Sequence, residues 1–276
     1  MRNLQQALMA GERVLAAWMQ TDSLSVAQIY SAIAEDGLAY DVVIADLEHA
    51  AIHDKDFAAI GHTLRGSEVH LGARVRRGHS DKISFAIDMG AQLIIAPMIE
   101  TVEQARDLVR FANLPPVGAR GVGWAPYNDI GLRIGPVTDT INDQIAVVTQ
   151  IETAAGIENA EAIMAVEGIH AGFIGPYDLS RSWEARGQGK CGELDSPIMR
   201  ESYERFVQAC KVNGKSPGLH VVKPDAAVVA KSLEQGFRLL ALSMDTASVI
   251  EIARTMLRSV TQAEASLSDS AAVRRF

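Results

Sequence analysis

The sequence predicts a (β/α)8 barrel of the TIM type, and three observations carry that expectation. Eight short apolar runs alternate with helical stretches along the chain. The runs show little polar–apolar alternation, as strands covered on both faces do. Functional-looking residues gather just past the ends of the runs: Asp46, Glu48, His49, Arg74, Arg76, Pro97, Glu152, Asp178, Lys223 and Asp245. Parallel barrel strands all end at one face, and that face carries the chemistry of such folds. Packing alone explains such a concentration of charge poorly. A doubly wound open sheet is the alternative, weakened because no glycine-rich phosphate fingerprint follows the first run. A chain of 276 residues fits one barrel over residues 1–276.

Taken in order, residues 14–18 follow Gly11 and read as strand one. Residues 23–35 have helical spacing through Val26, Ile29, Tyr30 and Ile33, with Gly37 as the stop. Residues 40–46 are β-branched and short, a second strand ending in Asp46-Leu47-Glu48-His49. A helix over 54–64, a strand over 69–75, a helix over 82–89 and a strand over 92–97 continue the alternation. A helix over 102–112 ends before Leu114-Pro115-Pro116. Residues 118–135 are glycine-rich and aperiodic, and an irregular segment inside a regular alternation reads as a lid or binding loop. Strands over 145–151 and 172–174 flank a helix. A second glycine-bearing loop, 183–191, leads to a helix over 197–213. Strand seven is 218–222, a helix spans 224–235, strand eight is 238–243, and a last helix over 246–258 precedes a polar tail with a disordered end.

The composition is that of an ordinary globular chain, 48% hydrophobic and 22% charged. A net charge of −8 argues against nucleic acid as a partner. Cys191 and Cys210 form no metal-ligand spacing and suggest a reducing compartment. The first residues have no apolar core of signal-peptide type, and no run reaches membrane-spanning length. These features lead to the expectation of a cytoplasmic protein without a membrane partner.

The stretch 144–178 reads as strand–helix–strand and delivers Glu152 past one strand and Asp178 past the next. Adjacent parallel strands bring such carboxylates to one point, an arrangement suited to a hard cation that keeps positions open for water and substrate. Equally, each acid reads as a helix N-terminal residue stabilised by the helix dipole. His49 stands beside two acids that would orient it and raise its basicity; a solvated loop histidine is the other reading. Arg74 ends an apolar strand, where a guanidinium suits a carboxylate or a developing oxyanion, or pairs with Asp46 or Glu48. Gly175-Pro176 lets backbone approach a ligand, or simply makes a tight turn. Lys223 has Schiff-base potential but reads better as a surface lysine beside a helix start.

At these residues the chain resembles the class II pyruvate aldolases of the HpcH/HpaI type, within the phosphoenolpyruvate/pyruvate barrel superfamily. The matching stretches are Asp46-Leu47-Glu48-His49-Ala50, Ala73-Arg74-Val75, Asp88-Met89-Gly90-Ala91, Ala96-Pro97-Met98, Pro115 to Gly123, Gln150-Ile151-Glu152-Thr153 and Ile174 to Ser180. The resemblance implies that Glu152 and Asp178 are metal ligands. It implies that Gln150 and the backbone at Gly175 and Pro176 contact pyruvate, and that Arg74 neutralises the enolate oxygen. His49 would be the acid/base residue with Asp46 beside it. Asp88 would reach that histidine from a neighbouring subunit, and Glu48 would support the metal. Trp18 resembles an aromatic at the pocket edge, with a core tryptophan as the bland reading. After Gly123 the chain departs from the family pattern. Trp124-Ala125-Pro126-Tyr127 stand where many relatives have small residues, and Trp124 would line the aldehyde side or pack as a lid. The implied assembly is a hexamer, a trimer of dimers that exchanges the last helix.

The function implied is a metal-dependent carbon–carbon lyase using Mg, Mn or Co. It would cleave a 4-hydroxy-2-oxo acid to pyruvate, or a close 2-oxo acid, and an aldehyde. Two rivals stand beside it. One is an acyl-CoA lyase of the same superfamily, for which no basic nucleotide groove is visible. The other is a non-catalytic keto-acid-binding barrel, for which a proton-shuttling His49 would be superfluous.

Overall fold

The computed structural model describes residues 2–78, 80–123 and 140–269. Trp124 and most of the loop expected over 118–135 lie outside these residues. Eight parallel strands close into a barrel: β1 (Val14–Met19), β2 (Val42–Asp46), β3 (His70–Arg74), β4 (Ala91–Ala96), β5 (Ala146–Ile151), β6 (Ala171–Ile174), β7 (Ser216–Val221) and β8 (Leu239–Leu242). Each pairs with its sequence neighbours, and β8 closes on β1. The expected (β/α)8 architecture is therefore observed.

Alternation along the strands sorts side chains into two cores. Val14, Ala16, Trp18, Val42, Ile44, Leu93, Ile95, Val148, Phe173, Leu239 and Ala241 fill the barrel interior. Their neighbours Ala17, Met19, Val43, Ala45, Ile94 and Val147 face the surrounding helices. This two-sided burial is why the strands read as continuous apolar runs. The helices start where their sequences offer caps. The Thr101 side chain accepts from the Gln104 N–H while Gln104 returns a bond to the cap, and the Asp225 carboxylate accepts from the Val228 N–H.

Three elements differ from expectation. A first helix, α1 (Leu4–Met9), precedes the barrel and plugs its N-terminal end, burying Leu4, Ala7 and Leu8 against the interior core. Six residues make no stable helix alone, so tertiary burial decides this one. The helix expected over 23–35 is α2 (Leu24–Ala32), and a small hairpin pairs Ala34–Glu35 with Leu38–Ala39. Its turn places Asp36 (φ 49°) and Gly37 (φ 75°) in the left-handed region, so Gly37 turns a hairpin rather than stopping a helix. The last helix runs from Asp245 to Asp269, well beyond the expected end at 258, and leaves Val249, Ile250, Ile252, Met256, Leu257 and Val260 exposed. Both cysteines are free thiols. Among the described residues no helix is long and apolar enough to cross a membrane.

Two buried histidines fasten α1 to the barrel. His70 bonds the Arg2 carbonyl at 2.5 Å and the Gln92 side chain. His170 accepts the Val147 N–H at Nδ1 (3.0 Å), and its Nε2 meets the Gln5 amide at 2.6 Å. Burial, then the charge of Lys215, pushes the His170 pKa down to about 4. In the unfolded chain it titrates near 6.5, so the unfolded state takes up the proton first. Stability present above pH 6.5 is then lost as pH falls towards 4, by at most about 1.4 kcal/mol per pH unit. Urea denaturation at pH 7, 6 and 5 should show this slope, and His170→Gln should flatten it. An unchanged slope in the variant would assign the acid sensitivity to other groups.

Candidate active site

The site is built at the C-terminal mouth of the barrel, where Asp46 on β2 and Arg74 on β3 stand opposite each other in register. Asp46 is fully buried. Arg74 meets it with two bonds, Nε to Oδ1 at 2.9 Å and Nη2 to Oδ2 at 2.5 Å. The Glu48 and His49 N–H groups donate to Oδ1, each at 3.2 Å, and Trp18 Nε1 and Gln20 Nε2 donate to Oδ2, each at 3.4 Å. Burial pushes the Asp46 carboxyl up, but these donors, led by Arg74, hold it below the ordinary carboxylate range. The guanidinium also lies over the Trp18 ring, 4.9 Å from its centroid.

The expected orientation of His49 by Asp46 takes a different form. Asp46 grips the backbone of His49, and the carboxylate beside the ring is Glu48, 3.7 Å from Nε2. His49 is 61% exposed and sits on the rim. Glu48 lies 3.6 Å from Arg74 Nε. Burial, together with Asp46 and Asp178, raises its pKa against the opposing pull of Arg74 and His49.

Glu152 follows β5 and is 3% exposed. Its Oε1 accepts the Met98 N–H at 2.9 Å, and its Oε2 accepts from Gln150 Nε2. Met98 delivers that N–H from a left-handed backbone (φ 58°), uncommon for a residue with a side chain. Burial, then the charge of Asp178, with Glu48 adding to it, pushes the Glu152 pKa up to about 7. Asp178 stands in the first turn of the helix Pro176–Ala185. Gly175, just before it, touches Glu152 so closely that a Cβ would lie 2.3 Å from Oε2. Gln150, Glu152, Gly175 and Asp178 line one cavity of about 660 Å³ with Trp18, Arg74, Phe173 and His220.

Asp88, at the end of the helix Ser80–Asp88, accepts from Arg120 Nη1 at 2.9 Å. Two other strand-end residues are structural. Arg76 Nε donates to the Leu47 carbonyl, and buried Asp245 accepts from the N–H groups of Gln20 and Thr21, tying β8 to the loop after β1. Lys223 borders the cavity. Trp18, expected at the pocket edge, is 1% exposed and forms its floor, stacked on Phe173 and on His220. His220 was not among the residues singled out from the sequence, although a lone polar residue inside an apolar barrel strand is a usable signal.

Among the described residues, no group of three or more His, Cys, Asp or Glu side chains is placed to hold a metal by itself. The donor set nevertheless fits a hard cation with open positions. Glu152 and Asp178 repel each other, and the buried Gln150 Oε1 has no hydrogen-bond partner among the described residues. A cation relieves that charge while leaving room for oxygens of water and substrate.

The HpcH/HpaI aldolase/citrate lyase family model matches residues 24–252. The chain belongs to this family. A hydroxypyruvate/pyruvate aldolase of Roseobacter denitrificans is 31% identical over 93% of this chain and 96% of its own length. A 2-keto-3-deoxy-L-rhamnonate aldolase of Klebsiella pneumoniae is also 31% identical, over 87% of this chain and 86% of its own. A crystal structure of an HpcH/HpaI aldolase/citrate lyase family protein from Burkholderia cenocepacia superposes with a TM-score of 0.84 at 28% identity, covering 94% of this chain and all of that one. The expected resemblance is thus confirmed, and the chain is an aldolase-type carbon–carbon lyase.

The Gly175–Glu152 contact gives a direct test of the site. Gly175→Ala should displace the Glu152 carboxylate and lower activity by two orders of magnitude or more, with the far-ultraviolet dichroism of the barrel retained. Activity within threefold of wild type would show that Glu152 needs no fixed position.

Proposed function

We propose that this chain catalyses reversible aldol cleavage of a 4-hydroxy-2-oxo acid to an aldehyde and pyruvate or a close 2-oxo acid, with a divalent cation. The observation that carries this reading is the meeting in one cavity of a fixed guanidinium, Arg74, with the charge-crowded carboxylates Glu152 and Asp178. Relatives named as hydroxypyruvate/pyruvate aldolases support pyruvate or hydroxypyruvate as the 2-oxo acid.

Glu152 and Asp178 would hold Mg, Mn or Co. A bound cation of this kind would polarise the keto group and offset the negative charge of the enolate. Gln150 and the backbone at Gly175 and Pro176 orient the 2-oxo acid. Arg74, held flat by its two bonds to Asp46, faces the oxygen on which charge develops as the C3–C4 bond breaks. His49 takes the proton of the C4 hydroxyl in cleavage and returns it in synthesis. Glu48 stands beside the ring, 3.7 Å from Nε2. Trp18 and Phe173 keep water from the enolate carbon. Asp88, partly exposed beside Arg120, is assigned to the His49 of a neighbouring copy. The exposed apolar residues of the last helix support its exchange between subunits and a homohexamer built as a trimer of dimers.

Pyruvate release from a 4-hydroxy-2-oxo acid should stop in EDTA and return with added Mg, Mn or Co. Glu152→Ala and Asp178→Ala should each lose metal-dependent turnover. Full activity of either variant in EDTA would remove the metal from the mechanism.

Arg74→Ala should lose both aldol cleavage and exchange of the pyruvate methyl protons with solvent, by roughly 10²–10³-fold. Arg74→Lys should rescue poorly, because a point charge cannot make the fork to Asp46. Wild-type exchange in Arg74→Ala would sink the assigned role.

A further inference from the structure

We infer that His220 is a specificity-determining residue, whose Nδ1 accepts a hydrogen bond from a hydroxyl on C3 of the 2-oxo acid and so favours 3-hydroxy-2-oxo acids over pyruvate. The inference rests on the aldolase reading above and names the substrate class of that same site. His220 lies on β7 with its ring in the barrel interior, 4.8 Å from Trp18 and at 28° to it. Trp18 in turn lies under the Arg74 guanidinium and beside Phe173. The floor of the cavity is therefore two apolar rings and one imidazole.

The imidazole is held in one tautomer. Nε2 lies 2.7 Å from the Ser243 carbonyl, an acceptor only, so Nε2 carries the proton. Ser243 presents that carbonyl from a left-handed backbone (φ 57°). Burial, with the nearby charge of Arg74, keeps the ring below its ordinary pKa and so neutral. Nδ1 is then a lone-pair acceptor, and among the described residues nothing donates to it. The contrast with the two buried histidines is direct. His70 and His170 spend both ring nitrogens on the protein, as structural histidines do. His220 spends one and lines the cavity.

A 2-oxo acid anchored at Arg74 and Glu152 lies above this floor, with its remaining substituent on C3. A methyl group needs only the apolar rings. A hydroxymethyl group needs an acceptor, and His220 is the polar group of the floor. Sites that hydrogen-bond a substrate hydroxyl discriminate through the pairing that the other substrate cannot supply.

The test compares hydroxypyruvate and pyruvate as donors to one acceptor, glycolaldehyde, with Mg present. His220→Leu should lower the ratio of kcat/KM for hydroxypyruvate to that for pyruvate by about tenfold, the size of one hydrogen bond. His220→Asn, whose amide oxygen replaces the acceptor, should restore most of the ratio. Calorimetric Kd values for the two donors should move by the same ratio, independently of turnover. Thermal melting separates a variant that folds poorly, and the Asn variant then carries the test. An unchanged ratio, or parallel losses for both donors, overturns the role of His220. Wild-type enzyme that binds both donors but turns over neither overturns the aldolase reading, and the Kd ratio still judges His220.

Discussion

A carboxylate with no exposure to solvent is among the most costly groups a fold can contain, and Asp46 is such a group. Its burial is tolerable only because donors converge on it from the strands on either side and from the turn that follows it. Arg74 supplies two bonds from β3, Trp18 and Gln20 reach it from β1 and its loop, and two backbone N–H groups come from the turn after β2. The requirement runs both ways. Asp46 cannot lose Arg74 without becoming an unpaired buried charge, and Arg74 cannot rotate without losing both bonds. The position of the guanidinium above the cavity floor is therefore set by the barrel's register, Asp46 opposite Arg74, rather than by a flexible side chain. An oxyanion-stabilising group is effective when it is fixed before charge develops.

Because Arg74 is committed to Asp46, the acids across the mouth lack a strong counter-charge. Burial, and then the repulsion among Asp46, Glu48, Glu152 and Asp178, raises the pKa values of Glu48 and Glu152. Backbone strain gathers at the same edge. Among the described residues, three other than glycine have positive φ; two of them, Met98 and Ser243, stand at the mouth, and each aims a main-chain group at a cavity side chain. Left-handed backbone costs such residues about 1–2 kcal/mol each. Placed against Glu152 and His220, that cost fixes a carboxylate and an imidazole.

The sequence made the barrel legible because both faces of every strand are buried, so the strands appear as unbroken apolar runs of strand length. The mouth was legible for a related reason. Parallel strands turn a one-dimensional pattern, polar residues after apolar runs, into one location, and Asp46, Glu48, Arg74, Glu152 and Asp178 do lie there. Pairing was not legible. Nothing in Asp46-Leu47-Glu48-His49 says that Asp46 turns inward to Arg74 while Glu48 takes the imidazole; that choice depends on the register of β2 against β3. The first helix was missed because its stability is tertiary: six residues with three apolar side chains signal little until they cap a barrel. The resemblance puts Trp18 at the pocket edge, and a core tryptophan is its other reading; the residue is buried. Strand β1 runs one residue further, and the ring turns inward.

Four histidines at the two ends of the barrel, His49, His70, His170 and His220, show how position assigns chemistry to one residue type. At the N-terminal face His70 and His170 are buried, doubly bonded and structural. At the mouth His49 is exposed beside Glu48 and suited to carry a proton, whereas His220 is half-buried, neutral and singly bonded. These two need opposite environments. A proton carrier must reach both charge states near neutral pH, so water and a carboxylate serve it. A hydrogen-bond acceptor for a neutral hydroxyl must stay unprotonated, so burial beside a guanidinium serves it. The barrel supplies both because the mouth has depth: His49 is exposed on its rim, and His220 lies half-buried at its floor. Proton transfer and donor selection then rest on different strands, β2 and β7, with the Asp46–Arg74 pair between them. Donor preference in such a site can change at the floor without disturbing the pair on which the carbon–carbon chemistry depends.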